Sequence, residues 1–194
     1  MAEQLTRTNP LHAAPLHELP SSVQATSDPF VAMVNLRVDP TGPGARAAAS
    51  LLGVDLPTTP NTWVRAGGKT VIWLGPDEWL VTSTDTVPWV LEDVLRAAVT
   101  SHNGAATDVS AQRVTLHLTG EHVRDVLATG CSLDLHPTVF TAGSAAQTNL
   151  GQAGIILLAL DETDQSYDVL VRSSFAGYLA TWLLDAALEF KEES

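Results

Sequence analysis

Apolar and polar positions alternate in short runs along most of the chain, and the sharpest case lies near its middle. Two apolar runs, 70–74 and 79–83, are separated only by Gly75-Pro76-Asp77-Glu78. Gly and Pro punctuate strands, and the two acids keep such a turn in water. The pattern predicts a strand, a tight turn and a second strand, with Trp73 and Trp79 beside the turn. A Trp brings a large apolar area and one N–H that needs a partner, so it suits a core edge or an interface.

The same reading extends in both directions. Residues 31–38 make a strand, with Met33, Val34, Leu36 and Val38 as its apolar positions. After the break at 39–44, residues 45–52 make an Ala-rich helix closed by Gly53. Residues 61–65 make a strand, and Ala66-Gly67-Gly68-Lys69 turns the chain into the central stretch. A helix follows over 86–99, with Pro88 in its first turn. Its apolar face is Val90, Leu91, Val94, Leu95 and Ala98.

The second half repeats the plan. A strand at 114–118 leads to a helix at 121–128, and a loop from Leu135-His136-Pro137 runs to residue 146. Residues 147–160 are strand material interrupted by Gly151 and Gly154, and 167–172 is a further strand. Ser173-Ser174 caps a last helix reaching about 190, whose buried face is Phe175, Leu179, Trp182, Leu183 and Ala186. Each half reads strand, helix, strand, strand, strand, helix. The expected fold is α+β: two related lobes at 31–104 and 105–190, with helices covering one face of each antiparallel sheet. Residues 1–30 show no period and are expected to form a flexible N-terminal tail.

Composition narrows the function. The 194 residues carry 22 acids against 10 bases, a formal net charge of −12. That balance repels nucleic acid and anionic membrane surfaces. No apolar run approaches the ~20 residues of a membrane span, and the first residues lack the apolar block of a signal peptide, so a cytoplasmic protein is expected. The single cysteine, Cys131, excludes an internal disulfide and a Cys-rich metal site.

Catalytic signatures are missing. There is no zinc-protease His-Glu-x-x-His, no Gly-x-Ser-x-Gly elbow and no phosphate-binding Gly loop. None of the six histidines pairs with another at metal-ligand spacing. Asp77 and Glu78 form the most conspicuous acid pair, and a solvated turn explains them better than an acid site. Asp108 fits a local turn with Ser110. No catalytic, cofactor-binding or metal-ligating residue is assigned.

Several stretches, however, resemble one family. Leu74-Gly75-Pro76-Asp77-Glu78-Trp79-Leu80 is similar to a signature of the gamma subunit of heterotetrameric sarcosine oxidase. So are Asp108-Val109-Ser110 with Gln112-Arg113, and Leu118-Thr119-Gly120 leading to Val126-Leu127. The most specific stretch is Gly130-Cys131-Ser132-Leu133-Asp134-Leu135-His136-Pro137 with Phe140 and Gly143. Gln147-Thr148-Asn149 and Val171-Arg172-Ser173-Ser174-Phe175 complete the series, which runs from about 56 to 190.

The resemblance implies a complex of four different chains that demethylates sarcosine oxidatively to glycine and hydrogen peroxide. The one-carbon unit leaves as formaldehyde or as methylene-tetrahydrofolate. FAD, FMN, NAD, zinc and the folate site would belong to the alpha, beta and delta subunits. The gamma chain would bind no cofactor of its own and act as a structural partner. Trp73, Trp79, Asp134, His136 and Phe140 are then candidates for a subunit interface or for family-signature positions.

The gamma chain is in turn similar to the folate-binding lobes of glycine-cleavage aminomethyltransferase. That enzyme's Gly-Ile-Ile-Asp-Asp stretch falls on Gly154-Ile155-Ile156-Leu157-Leu158, where leucines replace the acids. A Leu side chain cannot accept a hydrogen bond or hold a developing positive charge. The alternative is a stand-alone folate-dependent one-carbon transferase or folate-binding protein.

Overall fold

The structure is a computed structural model that describes residues 8–28, 30–163 and 165–191. The first half of the chain supplies β1 (Gln24–Ser27), β2 (Ala32–Arg37), α1 (Pro43–Leu52), β3 (Trp63–Ala66), β4 (Lys69–Gly75), β5 (Glu78–Ser83) and α2 (Pro88–Val99). The second half supplies β6 (Ala105–Asp108), β7 (Arg113–Thr119), α3 (Val123–Gly130), β8 (Ala145–Leu150), β9 (Ala153–Ala159), β10 (Ser166–Arg172) and α4 (Ala176–Ala186). The two halves have the same element order, each with a leading strand ahead of the expected plan.

Two five-stranded antiparallel sheets result, in the orders β6-β2-β5-β4-β3 and β1-β7-β10-β9-β8. Equivalent strands hold equivalent places in the two sheets. The leading strands are exchanged: β1 pairs with β7 of the second lobe, and β6 pairs with β2 of the first.

Residue alternation builds four layers. Ala32, Val34, Leu36, Trp79 and Val81 face outward onto Ala45, Ala48, Leu52, Leu91, Leu95 and Val99 of the first two helices. Val31, Met33, Ile72 and Leu80 face inward onto Ala145, Ile156, Leu158 and Leu170 of the other sheet. On the far side Leu116, Leu118, Leu157, Val169 and Val171 pack against Val126, Leu127, Leu179 and Leu183 of α3 and α4. The order is helix, sheet, sheet, helix, with the two lobes sharing the middle core.

Three expectations change. Residues 1–7 lie outside the described residues, but from Thr8 onward the expected flexible tail is part of the fold. Leu11 and Val23 are buried in the second lobe's core, with Leu16 and Leu19 packed beside them. Leu16, Leu19 and Val23 are spaced as on a helix, but Pro15 and Pro20 break any helix through them, so pattern alone does not reveal their burial. Gly120 seats this segment: its φ is +136°, and a Cβ there would lie 2.2 Å from the Ser22 carbonyl oxygen.

The inner faces of the helices are shifted from those expected: Leu91, Leu95, Leu179 and Leu183 are buried as expected, with Ala98, Trp182 and Ala186 partly buried against the cores, but other positions change. In α2 the sheet covers Pro88, Leu91, Leu95 and Val99, while Val90 and Val94 are each 42% exposed and Trp89 is 61% exposed. In α4 the buried residues are Ala176, Leu179, Ala180 and Leu183. Phe175 is exposed, in a 3₁₀ turn over Ser173–Phe175 that precedes the helix. Ser173 does not cap it; its hydroxyl donates to the Ala111 carbonyl at 2.8 Å.

Candidate functional site

The β4–β5 hairpin carries the Gly-Pro-Asp-Glu turn. Trp79 is fully buried among the first lobe's helices, and its indole N–H donates to the Pro57 carbonyl at 2.8 Å. Trp73 lies directly across the hairpin from it, half-buried against the same core. As an interface candidate Trp79 is therefore corrected: it is a core residue that no partner can reach. Asp77 and Glu78 converge on Arg37 of β2. Both Asp77 carboxylate oxygens accept from Arg37 Nη2, at 3.0 and 2.8 Å. Glu78 lies 3.4 Å from Arg37 Nη1 and accepts from the Asn35 amide at 2.7 Å. Asp77, first by hydrogen bonding and then by charge, holds the Arg37 guanidinium above its ordinary pKa. The acid pair is a clamp on the neighbouring strand.

A second cluster spans the lobes. Asp168 of β10 is buried on the inner face, and its Oδ2 accepts from Arg65 Nη2 of β3 at 3.3 Å. Its other oxygen lies 2.9 Å from His117 Nδ1 on β7. Arg65 also donates to the Thr70 hydroxyl at 2.9 Å and sits 5.0 Å from the centroid of the Trp63 ring. Arg65, Thr70, His117 and Asp168 line a crevice of about 360 Å³ with Gly67, Gly68 and Thr115. Both carboxylate oxygens are engaged, so Asp168 serves as a cross-lobe tie and not as a free base. Sequence reading passed over it because its partners lie far away along the chain.

The signature loop after α3 combines core and surface. Cys131 and Phe140 are buried in the second lobe's core. Phe140, like Trp79, is corrected from an interface candidate to a packing residue. Asp134 and His136 are exposed on the loop. The Asp134 carboxylate accepts the His136 backbone N–H at 2.9 Å, and His136 Nδ1 lies 2.8 Å from the Thr138 hydroxyl. In β9, Leu157 points into the second lobe's core and Leu158 into the shared one. Among the described residues no group of three His, Cys, Asp or Glu could hold a metal ion, and no helix is long and apolar enough to cross a membrane.

The doubled helix–sheet–sheet–helix build is that of the aminomethyltransferase-type fold. Glycine cleavage system aminomethyltransferase T from Bartonella henselae superposes with a TM-score of 0.64 at 13% identity, over 90% of this chain and 49% of that one. The profile described as "Sarcosine oxidase, gamma subunit family" matches residues 37–189, and the chain belongs to that family. Sarcosine oxidase subunit gamma of Corynebacterium sp. (strain U-96) is 35% identical over 162 residues, covering 83% of this chain and 77% of that protein. The Arthrobacter protein of the same name is 36% identical over 162 residues, covering 83% and 78%. A chain of the heterotetrameric sarcosine oxidase from Corynebacterium sp. U-96, solved with pyrrole 2-carboxylate, superposes with a TM-score of 0.85 at 32% identity. That superposition covers 97% of this chain and 98% of the other.

Proposed function

We propose that this chain is the gamma subunit of a heterotetrameric sarcosine oxidase and serves it as a non-catalytic structural subunit. The observation that carries the reading is the end-to-end likeness to one chain of such a heterotetramer, 97% of this chain against 98% of that one. The partners are the alpha, beta and delta subunits, and the complex oxidises sarcosine to glycine in the cytoplasm. FAD, FMN, NAD, zinc and tetrahydrofolate bind to those other chains. Met33, Ile72, Leu80, Ile156, Leu158 and Leu170 fill the seam between the sheets, which supports a packing role for it.

The exposed apolar residues of α2 suit an obligate partner. Val90 and Val94 recur at helical spacing, Val87 at the N-cap continues their line, and Trp89 stands beside them at 61% exposure. A stand-alone folate-dependent transferase is the weaker reading. The two positions where the related enzyme's motif has acids are buried leucines in the middle of β9. Co-expression of all four chains, with and without this one, tests the reading. Sarcosine-dependent peroxide formation and recovery of intact complex should both require it. Full activity and assembly without it would refute the structural role.

A further inference from the structure

Three separate motif segments, Gln112-Arg113, Gln147-Thr148-Asn149 and Arg172-Ser173, meet at one end of the second sheet. Arg113 of β7 lies directly opposite Arg172 of β10. Val171 pairs with Ile155, which sets Arg172 abreast of Gly154 on β9, and Gly154 lies opposite Asn149 on β8. Arg113, Arg172, Gly154 and Asn149 thus form one cross-strand row, on the face that carries Leu170 and Ile156 further in. The row lines an open cavity of about 320 Å³ together with Gln147 and Thr148. Gly154 is its floor: a Cβ there would meet nothing nearer than Asn149 Oδ1 at 3.7 Å. Gln147 ties this end to the first lobe by donating to the Leu74 carbonyl at 3.1 Å.

Two like charges directly across a strand pair are unfavourable, and this chain has acids to spare, 22 against 10 bases. Yet among the described residues neither guanidinium forms an ion pair. Arg113 donates to the Gln112 side-chain oxygen, and Asp28 lines the adjoining cavity without pairing with it. Burial, and then the Arg172 charge, hold the Arg113 guanidinium below its ordinary pKa. Two forked donors side by side at an open floor match a planar or tetrahedral oxyanion, and the Asn149 amide, whose Oδ1 now faces the floor, can turn to present its NH2 instead.

We propose that Arg113, Arg172 and Asn149, over the floor at Gly154, form an oxyanion site that takes a carboxylate or phosphate group. The group comes either from a free small anion or from an acidic residue of a partner chain. The site stands on this chain's own geometry and does not depend on the subunit reading.

The test titrates the full-length chain, alone and in the co-expressed assembly. Sodium succinate and sodium phosphate are compared with sodium chloride at matched ionic strength, by calorimetry and melting temperature. Saturable binding of succinate or phosphate to the free chain is expected, with a raised Tm. R172Q and R113Q/R172Q should lose affinity about tenfold or more. Without added anion, R172Q should melt at or above the wild type, because the repulsion is gone; this separates a lost site from a lost fold. Binding in both the free chain and the assembly assigns a free anion. Binding only in the free chain, with R172E weakening assembly, assigns a partner carboxylate. Equal responses to chloride, or an unchanged response in R172Q, would overturn the site.

Discussion

Arg65 and Asp168 stand 103 positions apart in sequence and 3.3 Å apart across the lobe seam. Arg65 lies in the edge strand of the first sheet, and Asp168 sits in the middle strand of the second. The pair therefore fixes one lobe against the other at the polar end of an otherwise apolar interface. Asp168→Ala should remove the acceptor shared by Arg65 and His117, both of which still reach solvent, and lower stability by about 0.5–1.5 kcal/mol. Urea unfolding of Asp168→Ala, Arg65→Ala and the double variant checks this. The double variant should cost less than the sum of the singles, and strict additivity would show that the tie contributes nothing.

Trp79 is a core residue with one satisfied polar atom. Trp79→Ala should cost about 3–5 kcal/mol through the cavity it leaves. Trp79→Phe keeps most of the packing but leaves the Pro57 carbonyl without its donor, so about 1–2 kcal/mol is expected. Denaturant midpoints would order the two; equal losses would mean that the hydrogen bond does not matter.

Gly120 holds a backbone conformation that side chains rarely adopt, and the 22–23 backbone passes over it. Gly120→Ala should therefore cost at least about 2 kcal/mol from backbone strain and the Ser22 clash. Amide hydrogen exchange should show the loss of protection first in β1, where the N-terminal segment joins β7. Protection lost evenly across both lobes would contradict this placement of the weak point.

On α2, Trp89 and Val90 face solvent in the isolated chain. Trp89→Ala with Val90→Ser should change the chain's own stability by no more than about 0.5 kcal/mol. If a partner covers them, the same pair of changes should weaken assembly by about 2 kcal/mol or more. Native mass spectrometry of the co-expressed chains reads the second effect, and a melting curve of the lone chain reads the first.

The sequence showed the two-lobed plan because strands buried on both faces, such as β5 and β9, read as short continuous apolar runs bounded by turn residues. It did not show the exchange of leading strands. Gln24-Ala25-Thr26-Ser27 has no apolar period, and its place depends on pairing with β7, far away in the chain. The inner faces of α2 and α4 were legible only in part, for a different reason. Their apolar arcs are wider than the sheets can cover, so periodicity alone leaves the choice of face open. At the candidate site, the motif aromatics Trp79 and Phe140 could belong to a core or a surface, and only packing decides. The Arg65–Asp168–His117 cluster and the Arg113–Arg172 row depend on strand register, which no local pattern encodes.

The most direct measurement of the subunit role is purification of this chain, tagged, from cells expressing all four chains. Size-exclusion chromatography with light scattering and flavin absorbance should return one species containing all four chains and the flavin signal. Recovery of this chain as a stable monomer, while the other three form an active oxidase without it, would contradict the role proposed for it.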